Sequence, residues 1–283
     1  MHLSLFFASI LSIFACSPTS SDTGTSIVDS SFIVTDNPNP DKSGFEEFDR
    51  YVEMNGLGIY GENGVSDAKL LYVANILAEL LDNDEDGVWD DPLLYQQLIQ
   101  AEMLMPVFAN EGSSAENDFF NNYNGDGVSA VLYDNEVDPS QPGRWGSDAT
   151  IEETMHTINH RGHAAVYPEV FSVEPDSSRL SEAMDVARGG QWISHPNSYP
   201  EEAWYHYDDR TCDYECMAIE YIYWAQVSKM GILNDQQTCN GIKDEWELCS
   251  PELLESVDIL IHDILIDPNQ PLPIVAPDGV YSP

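Results

Sequence analysis

The sequence predicts an α+β fold, a mainly helical single domain with a small sheet next to a metal-binding helix. Three observations lead there. Several stretches repeat apolar residues at the 3.6-residue period of a helix, while only two short apolar runs have strand character. The chain of 283 residues is 42% hydrophobic and 11% aromatic, enough to close a packed core. Helices that outnumber and flank a few strands define the α+β class.

The elements follow in order. Residues 45–60 mix apolar and acidic side chains and end in glycines, the pattern of an irregular strand or short helix. From Ser66, the stretch SDAKLLYVANILAELLD is a capped helix with Leu70, Val73, Leu77, Leu80 and Leu81 on its apolar face. A short helix is expected over 92–101, with Pro92 at an early position where its missing N–H costs nothing. Residues 103–108 and 128–133 read as strands. Helices then follow over 148–166, 178–188, 212–230 (rich in aromatics) and 251–265.

Ahead of this domain, residues 3–14 (LSLFFASILSIF) form an uncharged apolar run too short to span a bilayer, which reads as a signal peptide over 1–15. The stretch from Leu11 to Cys16 resembles a bacterial lipobox, which implies lipidation at Cys16; cleavage as an ordinary secretory signal is the alternative. Residues 16–41 are rich in Ser, Thr, Asp and Pro without periodicity, as in a flexible linker, leaving 42–283 as a single globular domain. The expected location is outside the cell, as a cell-surface or outer-membrane lipoprotein or a secreted protein. Membrane contact would come only through the N-terminal lipid anchor.

Charge narrows the partners. Ten Lys and Arg stand against 50 Asp and Glu, a formal net charge of −40. Such a surface repels phosphodiesters and anionic headgroups and attracts divalent cations, so nucleic acid is not an expected partner. The chain contains no GxSxG, no Gly-rich phosphate cradle and no basic-aromatic stripe, so the sequence signatures of serine hydrolases, nucleotide enzymes and nucleic-acid binders are missing. Apart from Cys16, four cysteines remain: Cys212, Cys216, Cys239 and Cys249. Four cysteines allow three pairings, of which the sequence-local set closes two small loops; a four-thiol metal site is the alternative.

Residues 82–93 contain an EF-hand-like calcium loop, beginning Asp82-Asn83-Asp84-Glu85-Asp86-Gly87-Val88-Trp89-Asp90-Asp91. Carboxylates at alternate positions with Gly at the sixth let a chain wrap a calcium ion, Asp82, Asp84 and Asp86 giving side-chain oxygens and Val88 its carbonyl. The twelfth position is Leu93 rather than Glu, so Asp90 or Asp91 would have to complete the shell, as in shortened loops. A structural ion rather than a sensor is expected. The alternative is a solvated acidic connection between helices.

Three of seven histidines fall within Glu152-Glu153-Thr154-Met155-His156-Thr157-Ile158-Asn159-His160-Arg161-Gly162-His163. At helical spacing Glu152, His156 and His160 form one stripe, and a carboxylate with two imidazoles on one face can converge on a metal. Glu152-Glu153-x-x-His156 is similar to the HExxH helix of zincin metallopeptidases of the gluzincin type, with Glu in place of the first His. That resemblance implies Glu152 and His156 as ligands of zinc or another divalent transition metal, with Glu153 as the general base on the attacking water. It also implies a third ligand on a later helix, where CDYECMAIEYIYWAQ offers Glu220, with Glu215 the nearby alternative. His160 is a further candidate ligand. In the polar loop 191–210, His206, Tyr205 or Tyr207 could donate to an oxyanion. The resulting expectation is a metal-dependent, peptidase-like hydrolase with peptide or protein substrate. The alternative is a non-catalytic calcium-binding surface protein that retains a degenerate metal helix.

Overall fold

A computed structural model describes residues 32–283. The expected signal peptide, Cys16 and most of the linker lie outside the described residues. The final part of that linker is ordered: β1 (Val34–Asp36) pairs antiparallel with β2 (Phe48–Met54). The folded domain therefore starts about ten residues before the boundary read from composition, because β1 satisfies its backbone on the edge of β2.

β2 turns back into β3 (Leu57–Glu62) through Asn55 and Gly56, whose φ angles are +49° and +90°. Asn-Gly favours such a turn because both residues tolerate φ > 0, and the twist suits a two-residue hairpin. Residues 45–60, read from the sequence as an irregular strand or short helix, are thus mostly hairpin. The chain next forms α1 (Asp67–Leu81), capped by Ser66 on the Lys69 N–H, and α2 (Pro92–Gln100). β4 (Leu104–Phe108) returns parallel to β3. α3 (Ser114–Asn122), a helix without a clear periodic signal, precedes β5 (Leu132–Tyr133), which pairs parallel with β4. The five strands lie in sequence order in one mixed sheet.

The helical half begins with α4 (Thr150–Ile158), which runs into a π-helical turn, Asn159–His163, and then α5 (Ala164–Val166). α6 (Pro168–Phe171), α7 (Arg179–Ala187), α8 (Tyr214–Lys229) and α9 (Gln236–Ile242) follow. The last expected helix is two, α10 (Pro251–Val257) and α11 (Ile259–Leu265). Asp258 separates them: its buried carboxylate caps the Ile261 N–H and accepts from Tyr221 Oη and Trp204 Nε1 at 2.7 and 2.8 Å.

Strand alternation divides the core. Leu57, Ile59, Met105 and Val107 belong to the main core shared with the helices, whereas Tyr60, Leu104 and Phe108 pack with Phe45, Phe48 and Phe119 of α3. On the main side α4 lies between α1 and α8, and α8 is also covered by α7, α10 and α11. That arrangement explains why α8 is buried nearly all round rather than on one stripe. Cys212–Cys216 and Cys239–Cys249 are the two disulfides, the sequence-local pairing, and they are compatible with an extracellular protein. Among the described residues no helix is long and apolar enough to cross a membrane.

Candidate metal centre

Glu152 and His156 lie one above the other on α4, and Glu220 reaches them from α8. One ligand atom from each of the three lies within 4.8 Å of the others. Thr150, Ile151, Thr154, Met155 and Ile158 are buried alongside, so packing on both sides fixes the rotation of α4. The Glu220 partner predicted from the later helix is brought to the site. His156 is 7% exposed.

Each carboxylate has a holder. Tyr207 Oη donates to Glu220 Oε1 at 3.0 Å, leaving Glu220 Oε2 directed at His156 Nε2 at 3.3 Å. Tyr223 donates to Glu152 and packs its ring edge-on to His156 with centroids 5.4 Å apart. On the other side of the imidazole, His156 Nδ1 lies 3.3 Å from Glu153 Oε2. A carboxylate only accepts, so Nδ1 carries a hydrogen and a neutral His156 presents the lone pair of Nε2 to Glu220. His156 Nε2 and Glu220 Oε2 are both buried without a hydrogen-bond partner. Two buried acceptors facing each other require a cation between them or a proton on the ring.

The electrostatics carry the same tension. Burial pushes the Glu152 carboxyl up to about 8, and the neighbouring Glu220 and Glu153 charges add to this while His156 opposes it. Burial works against charge on His156, but the Glu220 and Glu153 carboxylates overcome it and raise the imidazole pKa well above its ordinary value. Burial and the Glu220 charge also raise Tyr207.

Several sequence-derived candidates are placed differently. His160 is not part of the three-residue group: its Nδ1 is 2.6 Å from Ser129 Oγ and its Nε2 is 2.7 Å from Glu215 Oε1. The stripe Glu152-His156-His160 assumes an unbroken α-helix, and the π-helical turn starting at Asn159 interrupts that spacing. Within it Gly162 sits against α2, where a Cβ would come within 2.4 Å of Leu94 Cδ1. His206 is engaged elsewhere, its Nε2 2.7 Å from the Ala203 carbonyl and 3.8 Å from Glu247, and does not line the cavity in front of the centre. Tyr205 donates to the Met217 carbonyl, and Tyr207 serves Glu220 rather than an oxyanion. Sequence reasoning missed Tyr223, though its place three residues after Glu220 was the signal available.

That cavity, about 330 Å³, is lined by Glu153, His156 and Glu220 and also by Ser129, His160 and Glu215.

At the acidic loop, Asp82, Asp84 and Asp86 bring carboxylate oxygens within 4.8 Å of one another, with Gly87 at φ +83°. Asp82 accepts from the Asp86 and Gly87 N–H groups and from Tyr281 Oη, and Asp86 accepts from the Val88 N–H. Asp90 accepts from the Asn83 N–H, closing the loop on itself. Asp91, a candidate calcium ligand, is instead the N-cap of α2, accepting from Leu93 and Leu94 through Oδ1 while Oδ2 takes the Tyr167 hydroxyl. Oδ1 is occupied by the cap because Pro92 opens the next helix immediately after it.

No family model matches the chain, and neither a curated protein nor a solved structure matches it.

Proposed function

We propose that the protein is an exported metal-dependent hydrolase, with a divalent transition metal among Glu152, His156 and Glu220 and peptide bonds as its substrate class. The observation that carries this reading is the convergence of one ligand atom each from Glu152, His156 and Glu220 within 4.8 Å, with His156 Nε2 and Glu220 Oε2 3.3 Å apart. With metal–nitrogen and metal–oxygen distances of about 2.0–2.2 Å, neighbouring ligands on a tetrahedral zinc are about 3.3–3.6 Å apart. The spacing fits. One imidazole and two carboxylates suit zinc and also Fe²⁺ or Mn²⁺. Glu153 accepting from His156 Nδ1–H matches the carboxylate that commonly orients a metal-bound imidazole.

The bound ion would supply Lewis acidity and make water more acidic. The chain's residues supply the rest. Glu153 lines the cavity and would take the proton of the attacking water through Oε1, the oxygen not turned to His156 Nδ1, while Tyr207 and Tyr223 keep the Glu220 and Glu152 carboxylates from turning away. Glu153→Gln should retain the transition metal and lower peptide hydrolysis by a factor on the order of 10²–10⁴, the usual scale of a lost general base. Metal content by elemental analysis and turnover of a mixed peptide library check it; hydrolysis at the wild-type rate would remove Glu153 from that role.

A second reading is a calcium-binding surface protein without catalysis, favoured by the Asp82, Asp84 and Asp86 group. In both readings calcium at the loop is proposed as a structural ion. Purified without chelator, the hydrolase carries calcium and one transition metal per chain, and the scaffold carries calcium alone.

A further inference from the structure

In the same cavity as the candidate metal centre, three side chains form a hydrogen-bonded row. Ser129 Oγ is 2.6 Å from His160 Nδ1, and His160 Nε2 is 2.7 Å from Glu215 Oε1. The direction of the row is fixed by chemistry. The Glu215 carboxylate can only accept, so His160 Nε2 carries the ring hydrogen. Nδ1 of the neutral ring is then an acceptor, and the Ser129 hydroxyl hydrogen points at it. A hydroxyl donating to an imidazole that is held by a carboxylate is the arrangement of an activated nucleophile, recognised by geometry rather than by sequence order. The missing GxSxG excludes one local signature and leaves this constellation open.

The surroundings hold the row in place. Arg161 donates through Nε and Nη2 to the Val128 carbonyl at 3.0 and 2.8 Å, fixing the backbone next to Ser129. The π-helical turn aims His160 at Ser129 and Glu215 instead of along the α4 stripe. Glu215 stands in the first turn of α8, between the Asp213 cap and Cys216, whose disulfide to Cys212 closes that turn. Burial, with the Arg161 charge, lowers the His160 pKa, in keeping with a neutral ring ready to take a proton. Ser129, His160 and Glu215 all line the open cavity.

We propose that Ser129, His160 and Glu215 constitute a nucleophilic acyl-transfer site, taking uncharged or cationic esters and amides. Ser129 Oγ bonds to the substrate carbonyl carbon as its proton passes to His160 Nδ1. The bond from that carbon to the leaving oxygen or nitrogen breaks, and the leaving group takes the proton from Nδ1. Water then attacks the Ser129 ester, gives its proton to Nδ1, and Ser129 recovers a proton as the acid departs. Glu215 stays ionised throughout and stabilises the imidazolium through Nε2–H. The preference for uncharged or cationic acyl groups follows from the Glu153, Glu215, Glu220 and Asp213 carboxylates lining the cavity.

The test is covalent labelling of the full chain by an alkyl fluorophosphonate, in which Ser129 Oγ displaces fluoride from phosphorus, read by peptide mass spectrometry. The expected result is a single adduct on Ser129, absent in Ser129→Ala and formed at least 100-fold more slowly in His160→Gln. Glu215→Gln, at a side chain 45% exposed, should slow it at least tenfold with the fold checked by near-ultraviolet circular dichroism. No adduct on Ser129, or labelling of folded His160→Gln or Glu215→Gln at the wild-type rate, overturns the proposal. The readout is an adduct on Ser129, so it stands or falls separately from whether Glu152, His156 and Glu220 hold a metal.

Discussion

His163 follows α4 by a few residues and sits in surroundings unlike those of His156. Its ring is buried against Phe171, and Nδ1 donates to Asn159 Oδ1 at 3.0 Å while the Asn159 amide donates to Gln226. Nε2 is buried without a partner, so a proton there would be uncompensated. Burial accordingly pushes its pKa down to about 4. In the unfolded chain histidine titrates near 6.5, so the unfolded state takes up the proton first. Stability from this residue is therefore full above pH about 6.5 and is lost as pH falls to about 4, a difference of about 3 kcal/mol. Urea unfolding at pH 7 and pH 4.5 should show a larger loss for the wild type than for His163→Gln; equal losses would contradict the assignment. Three histidines adjacent in sequence thus divide into a metal candidate, a partner of Ser129 and a buried neutral core residue. Their clustering was visible in the sequence, but their division was not, because it depends on a π-helical turn that residue periodicity does not encode.

At the scale of elements, α8 is the part on which both candidate sites depend. It contributes Glu215 to one and Glu220 to the other, with Tyr223 behind Glu152, and Asp213 caps it by accepting from the Cys216 N–H. The Cys212–Cys216 disulfide ties the approaching loop to its first turn. Replacing both cysteines by serine should cost about 2 kcal/mol, the chain-entropy value for so short a loop, measured as a shift of the denaturant midpoint at unchanged slope. An unchanged midpoint would show that packing alone fixes this turn. The apolar spacing of α1 and the aromatic-rich run of α8 were legible in the sequence, as was the arrival of Glu220 beside His156. The β2–β3 hairpin went unread although Asn55-Gly56 marks it, and the break at Asp258 could not be read because it follows from the tertiary bonds of Tyr221 and Trp204. The same limit explains Asp91: spacing made it a calcium candidate, and the cap of α2 engages it.

At the scale of the whole molecule, the net charge of −40 opposes compaction, and the acidic loop is where the C-terminal segment is held. Asn83 accepts from the Ile274 and Val275 N–H groups, Glu79 accepts from Asp278 and Gly279, Glu85 accepts from Ser282, and Tyr281 donates to Asp82. Calcium at Asp82, Asp84 and Asp86 would therefore brace the C-terminal segment against α1 as well as relieve local repulsion. At a free calcium concentration 100 times its Kd the expected stabilisation is about 2.7 kcal/mol. Thermal unfolding with and without calcium at fixed ionic strength measures it, and an unchanged Tm would remove the loop as a structural calcium site.

The central claim is that one transition-metal ion joins α4 to α8 through Glu152, His156 and Glu220. X-ray absorption at the metal edge, on protein purified without chelator, tests it most directly. The expected spectrum shows one imidazole nitrogen and carboxylate oxygens at about 2.0–2.2 Å, and Glu220→Gln loses the bound metal. A purified, folded chain with no transition metal, or a metal whose environment is the same in Glu220→Gln, would contradict it.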